Sequence, residues 1–162
     1  NVKIYGPKNN FNFVCKEVDD DDLVVIDVLN ISFRVIATPG HTLDHIVFAD
    51  ENHLFCGDTI FGCGCGRLFE GTFSQMHTSL NILSKLPRSI KIFCAHEYTK
   101  KNIEFALMIE KNNEALIARK KSLIGVDITL PSTLSEELKT NPFLRSKNLA
   151  QFKERRIRKD NF

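Results

Sequence analysis

An α/β fold followed by a helical segment is what the sequence predicts, and three observations carry that prediction. Up to about residue 98 the chain is built from short apolar or β-branched runs, each ended by Gly, Pro or a polar cluster. From Thr99 onward the apolar residues recur at helical spacing. Finally, His41, Asp58 and His96 each stand just past one of the runs. Ile31 to Ile36 precedes Thr38-Pro39-Gly40-His41, His53 to Cys56 precedes Gly57-Asp58-Thr59, and Ile90 to Cys94 precedes Ala95-His96-Glu97-Tyr98. Reactive side chains leaving several strand ends on one sheet edge form a common kind of site.

In chain order, Val2 to Tyr5 reads as a strand ended by Gly6-Pro7, and Asp19 to Asp22 as a solvated turn. Leu23 to Asp27 and Ile31 to Thr38 read as a hairpin with Asn30 near its turn. Ile46 to Ala49 and His53 to Cys56 read as a second one, across Asp50-Glu51-Asn52. Gly62, Gly64, Gly66 and Gly71 mark a loop of close approach. Thr72 is placed to cap a helix carrying Met76, Leu80, Leu83 and Leu86, which Pro87 stops. After the strand at Ile90 to Cys94, one apolar stripe runs through Ile103, Phe105, Ala106, Met108 and Ile109. A second uses Ala115, Leu116, Ala118 and Leu123 and is closed by Gly125. Leu130-Pro131-Ser132-Thr133 reads as a loop and cap, with Ser132 placed before Glu136 and Glu137. Asn141-Pro142-Phe143 breaks the chain again, ahead of a basic helical tail from Gln151 to Lys159.

The 162 residues suffice for one compact domain with a small appendage, and 43% hydrophobic with 26% charged residues is an ordinary soluble composition. Thirteen Phe and no Trp leave Phe, Leu and Ile to fill the core. A net charge of +2 does not point to nucleic acid, and no aromatic platform accompanies the basic tail. No apolar run is long enough to span a membrane, and the start does not read as a signal peptide. The odd set Cys15, Cys56, Cys63, Cys65 and Cys94 reads as buried free thiols in a reducing cytosol, so a cytoplasmic protein is expected. Cys63-Gly64-Cys65 stays open as a metal or redox pair, although its spacing is not that of C-x-x-C.

Imidazole nitrogen and carboxylate oxygen are ligands that zinc and similar ions take. Alone, His41 or His96 would more often be a hydrogen-bonded structural residue, and Asp58 a turn or cap. Their shared strand-end position favours a site. His45 reads as a supporting residue, His53 and His77 as surface residues.

Four groups of residues resemble glyoxalase II, the hydroxyacylglutathione hydrolases of the metallo-β-lactamase superfamily. They are Thr38-Pro39-Gly40-His41 with His45; Gly57-Asp58-Thr59; Gly64-Cys65-Gly66-Arg67 with Glu70-Gly71-Thr72; and His96-Glu97-Tyr98-Thr99. Leu130 to Thr133, Asn141 to Arg145 and the basic end at Arg156 to Lys159 agree with it. The resemblance implies the C-terminal half of an αββα fold at 1–98 and a helical substrate-binding domain at 99–162. It implies two divalent metals, zinc foremost and iron or manganese otherwise. His41 resembles a ligand of the first metal and His96 of the second, while Asp58 resembles the catalytic carboxylate that bridges both. Two cations sharing a carboxylate generate a nucleophile from water at neutral pH and stabilise an oxyanion. A thioester then loses a thiolate, a good leaving group. The substrate so implied is S-D-lactoylglutathione, split to glutathione and D-lactate in methylglyoxal detoxification. Arg67, Phe69, Tyr98, Arg156 and Lys159 resemble the residues that meet glutathione, the last two holding its glycine carboxylate. Taken by its charge alone, the tail is a solvated basic helix end.

Three positions depart from that pattern: Phe69 stands where Tyr is frequent, Cys63 where a small residue is usual, and Asp44 where Gly is usual. The family's Thr-His-x-His-x-Asp-His cluster is not in these residues. The sequence therefore looks like the second half of the hydrolase domain plus its helical appendage, expected to be inactive alone and monomeric only when complete. Two alternatives stand beside the hydrolase. One is another enzyme of the superfamily, such as a persulfide dioxygenase or lactamase. The other is a truncated chain that acts through a partner.

Overall fold

The computed structural model describes residues 2–8 and 16–162, so Cys15 lies outside the described residues. β1 (Tyr5–Gly6) and β2 (Lys16–Glu17) form a short parallel ladder. The strand expected at Val2 to Tyr5 is thus reduced to its last residue plus Gly6. β3 (Leu23–Ile26), β4 (Ile31–Ala37), β5 (Ile46–Ala49) and β6 (His53–Gly57) then run as an antiparallel meander. Its first turn is a 3-10 helix at Asp27–Leu29 followed by Asn30 at φ 51°, a left-handed conformation that Asn tolerates. The Asp19 to Asp22 turn is exposed, with Asp21 paired to Arg34 at 2.6 Å.

β7 (Ile60–Phe61) and β8 (Gly64–Cys65) form a small hairpin inside the glycine loop. α1 (Phe73–Leu83) opens on a capping box between Thr72 and Gln75. β9 (Lys91–Cys94) lies parallel to β6, and α2 (Thr99–Ile109) and α3 (Glu114–Ser122) follow. β10 (Ser132–Thr133) pairs with β9 and completes a six-stranded mixed sheet in the order β10-β9-β6-β5-β4-β3. α4 (Leu134–Thr140) and α5 (Leu149–Asp160) end the chain.

Several expectations change here. Residues 132–133 are a strand rather than a loop, because the outer edge of β9 offers backbone groups that an extended segment satisfies. The cap of α4 is Thr133, whose side chain accepts from the Glu136 amide, so Ser132 is not the cap. In α2, Ile103, Phe105 and Ala106 are buried, but Met108 is 46% exposed. In α3, Leu116 faces inward while Ala118 is exposed and Arg119 is buried beside it. His53 and His77 are half-buried rather than free surface groups. His53 lies 2.9 Å from Asp50, and His77 packs on Phe152 at 5.4 Å.

One sheet face carries Ile36, Val47, Ala49, Leu54, Cys56 and Ile92. Met76, Leu80 and Leu83 of α1 cover it, together with Phe105, Leu134, Phe143 and Phe152 of the helical segment. Residues 99–162 therefore share this core with the sheet. On the opposite face Val24 and Val35 pack with Val18, next to Phe48. Beyond them lie the rings of Phe33, Phe55 and Phe93, in contact at 5.6 and 5.1 Å.

Candidate functional site

β4, β6 and β9 point the same way, because β4 and β6 flank the antiparallel β5 and β9 is parallel to β6. The segments after them carry His41, Asp58 and His96 to one edge of the sheet. All three line a single cavity of about 600 Å³, which Arg67, Phe69, Tyr98, Arg156 and Lys159 also line. Every site residue expected from the sequence is thus at this cavity. The sequence reading missed Phe61, Cys65, Lys101, Asn102, Asp160 and Phe162 as site residues, and these complete the wall. Asp160 carried a signal: it stands four residues after Arg156 on one helix, the spacing of a side-chain pair.

The strand-end histidines are held by hydrogen bonds that fix their tautomers. His41 Nδ1 donates to the Arg67 carbonyl at 2.7 Å, because a carbonyl only accepts, so in the neutral ring Nε2 is the nitrogen that carries the lone pair. His45 Nε2 accepts from the Asp58 amide at 3.3 Å, so its Nδ1 carries the proton, toward Thr38 Oγ1 and Thr59 Oγ1 at 3.1 Å each. Burial, then the neighbouring His41, lowers the His45 pKa, which keeps this imidazole neutral and able to accept. His45 therefore supports the Asp58 turn. His96 Nε2 meets Asp58 Oδ1 at 3.3 Å, and its ring stacks on Tyr98 at 4.8 Å. Phe69, 68% exposed, leans on His41 at 4.9 Å. Close approach demands glycine at Gly66, where a Cβ would collide with the Asp58 carbonyl oxygen.

The β7–β8 hairpin is pinned from below by the helical segment. Asn141 Nδ2 donates to the carbonyls of Phe61 and Gly64 at 3.1 and 2.8 Å, and Asn102 Nδ2 donates to that of Gly62 at 3.0 Å. The Cys63 amide donates to Glu137 Oε2 at 2.8 Å, and Glu137 Oε1 lies 2.7 Å from Arg119 Nη2 without a well-aligned hydrogen bond. Burial, the largest single influence, opposes the Arg119 charge, but the charge and hydrogen bond of Glu137 together with Cys63 and Glu136 outweigh it and the pKa is raised. Arg119 also donates to Cys63 Sγ at 3.2 Å, whereas Cys65 Sγ lies 3.7 Å from Arg156. The two thiols thus take separate partners. Burial pushes the Cys63 thiol up to about 12 and that of Cys56 higher still. Among the described residues Cys56, Cys63, Cys65 and Cys94 are all free.

Two imidazoles and a carboxylate at one cavity have the donor chemistry a divalent cation needs. They fit it as a partial set: among the described residues no three His, Cys, Asp or Glu side chains are close enough together to hold an ion.

Comparison with known proteins agrees with this architecture. Residues 12–96 match the family model of the metallo-beta-lactamase superfamily, and residues 97–162 match the hydroxyacylglutathione hydrolase C-terminus. The hydroxyacylglutathione hydrolase of Pseudoalteromonas translucida is 48% identical over 151 residues, which are 90% of this chain and 58% of that protein. Its counterpart in Thiobacillus denitrificans is 47% identical over 150 residues, 90% of this chain and 59% of that protein. The chain thus spans somewhat over half the length of the curated relatives it matches. The crystal structure of ETHE1 from Myxococcus xanthus superposes with a TM-score of 0.71 over 96% of this chain and 57% of its own, at 24% identity, and shares the fold. On its sequence, its mixed sheet and the placing of His41, Asp58 and His96 at one sheet edge, this chain belongs to the metallo-β-lactamase superfamily, with a hydroxyacylglutathione hydrolase C-terminus over residues 97–162.

Proposed function

We propose that this protein serves the hydrolysis of S-2-hydroxyacylglutathione, S-D-lactoylglutathione above all, to glutathione and a 2-hydroxy acid. The observation that carries the reading is a cavity with two chemistries. Its wall presents His41, Asp58 and His96, with the Phe69 and Tyr98 rings beside them, and it also presents cations, Arg67 and Lys159 among them. A thioester of an anionic peptide needs both. Water adds to the carbonyl, the carbon–sulfur bond breaks, and the thiolate leaves with the electron pair.

Divalent metal, with zinc first and iron or manganese as alternatives, would supply an activated water and a polarised carbonyl. His41 and His96 would offer ring nitrogens to it and Asp58 its carboxylate. Neutral His45 keeps the Asp58 turn in place. Tyr98 and Phe69 flank the reacting end with rings. The free thiols of the described residues suit a reducing cytoplasm.

A second reading, in which another polypeptide completes the ligands, rests on the partial donor set among the described residues. The test is thiol release from S-D-lactoylglutathione by the 162-residue chain with added zinc, iron or manganese. Chelator-sensitive release supports the hydrolase. A chain that binds S-methylglutathione yet releases no thiol with any metal supports the second reading. A chain that does neither refutes the glutathione assignment.

A further inference from the structure

A second cavity, of about 370 Å³, lies between α2 and the end of α3, and no residue lines both it and the cavity of His41, Asp58 and His96. Its volume is that of a small-ligand site. Ile103, Leu123 and Ile124 make its apolar part. Ile103 belongs to the buried cluster beneath α2 and α3, with Leu123 packed against it, whereas Ile124 is 81% exposed. Gly125, at φ 75°, turns the chain after Ile124, and a side chain there would meet nothing within 4 Å, so this end of the cavity is open.

Lys100, Lys120 and Lys121 surround these aliphatic groups, against a single carboxylate, Glu104. Among the described residues none of the four has an opposite charge within ion-pair distance. Lys120 and Lys121 stand in the last turn of α3, where a cation suits the helix dipole. Lys100 stands in the first turn of α2, which holds no acidic residue, and there a cation opposes the dipole. Helix stability thus accounts for two of the lysines and not for the third. An exposed aliphatic side chain beside three unpaired ammoniums complements an anion with an apolar tail, which would bury the one and pair with the others.

We propose that this cavity binds a small organic anion of the fatty carboxylate class. Its chain lies on Ile103, Leu123 and Ile124, and its head group meets Lys100, Lys120 and Lys121. The site stands apart from the hydrolase reading, since the two cavities share no residue.

The experiment is NMR titration of the 162-residue chain, labelled at its isoleucine methyl groups, with sodium octanoate at pH 7. Saturable shifts are expected at Ile103 and Ile124, with a dissociation constant of about 1 mM, ordinary for a ligand of about ten heavy atoms. Ile92, in the sheet core, should not move. Butanoate should bind at least about tenfold more weakly, because it buries fewer methylenes. Octylamine, with the same chain and the opposite charge, should leave both methyls unshifted. Lys120→Gln with Lys121→Gln changes two exposed side chains and should weaken octanoate about fivefold. It should also flatten the salt dependence of binding, which loss of apolar contact alone would not do. Ile124→Ser should weaken binding about tenfold and leave the salt dependence as it was. An absence of saturable shifts at Ile103 and Ile124 would overturn the proposal. So would an equal response to octylamine, or an affinity unchanged in the double lysine variant.

Discussion

His45 bears on Asp58 through one lone pair, and that lone pair exists only while the ring is neutral. Burial and the nearby His41 keep it so, and both neighbouring hydroxyls converge on the other ring nitrogen. His45→Ala should leave the Asp58 amide and the hydroxyls of Thr38 and Thr59 short of a partner. The expected cost is about 1–3 kcal/mol, read as a lower urea midpoint with unchanged slope. Lys159 illustrates the opposite case, a charge held against its environment. Its pKa of about 8 lies below the ordinary 10.5, so between those values the unfolded chain binds more protons and stability rises with pH. Below pH 8 both states carry the charge and the folding penalty is complete. Lys159→Met should therefore raise the melting temperature at pH 7, and the gain should shrink as pH climbs from 8 toward 10.5. A gain that grew with pH would mean that the ammonium stabilises the fold.

Among the elements, the β7–β8 hairpin depends most on distant partners. Glu137, fully buried, takes the Cys63 amide, the Arg119 guanidinium and an Asn141 amide hydrogen at once. Glu137→Leu leaves the buried Arg119 charge without its main partner and should cost about 3–5 kcal/mol. Adding Arg119→Met should recover part of that loss in thermal melts, because two apolar groups then replace the pair. Double-mutant values that simply add would show the two side chains to be independent. The same element marks where the sequence stops being legible. Strands with a strong apolar period, such as Ile31 to Ala37, and the capped helix at Thr72 are written locally. The hairpin at Ile60 to Cys65 is held by Glu137 and Asn141, more than seventy positions away, and local pattern has no access to that. β10 is likewise called into being by the open edge of β9. Arg119 turns inward because Glu137 is there, so α3 breaks its apolar stripe at that point.

Across the whole molecule, the three strand-end residues were legible because one short motif each carries them, and parallel strand directions do the rest. The charge sorting of the cavity was not, since Asp160 and Arg67 meet only once α5 has packed beside the β8–α1 loop. The two sheet faces show the same contrast between local and global order. Helices cover one face, while on the other the Phe33, Phe55 and Phe93 rings stand in a row, with Phe55 42% exposed. At the edge of the sheet Ile26 is 36% exposed, and Val28 and Leu29 in the turn after it are 95% and 62% exposed. Exposed apolar side chains grouped on one face often mark an interaction surface, and burial of apolar area is favourable at about 25 cal/mol per Å². A second copy of the chain, meeting ring against ring, is an available cover. Sedimentation velocity should then show a weight-average mass that rises with concentration. Phe55→Lys places a charge in the centre of the row and should shift that rise to concentrations about tenfold higher or more. It should not alter ligand binding at the cavity, because Phe55 does not line it. A mass that stays constant with concentration in both proteins would show that the rings do not bring copies of the chain together.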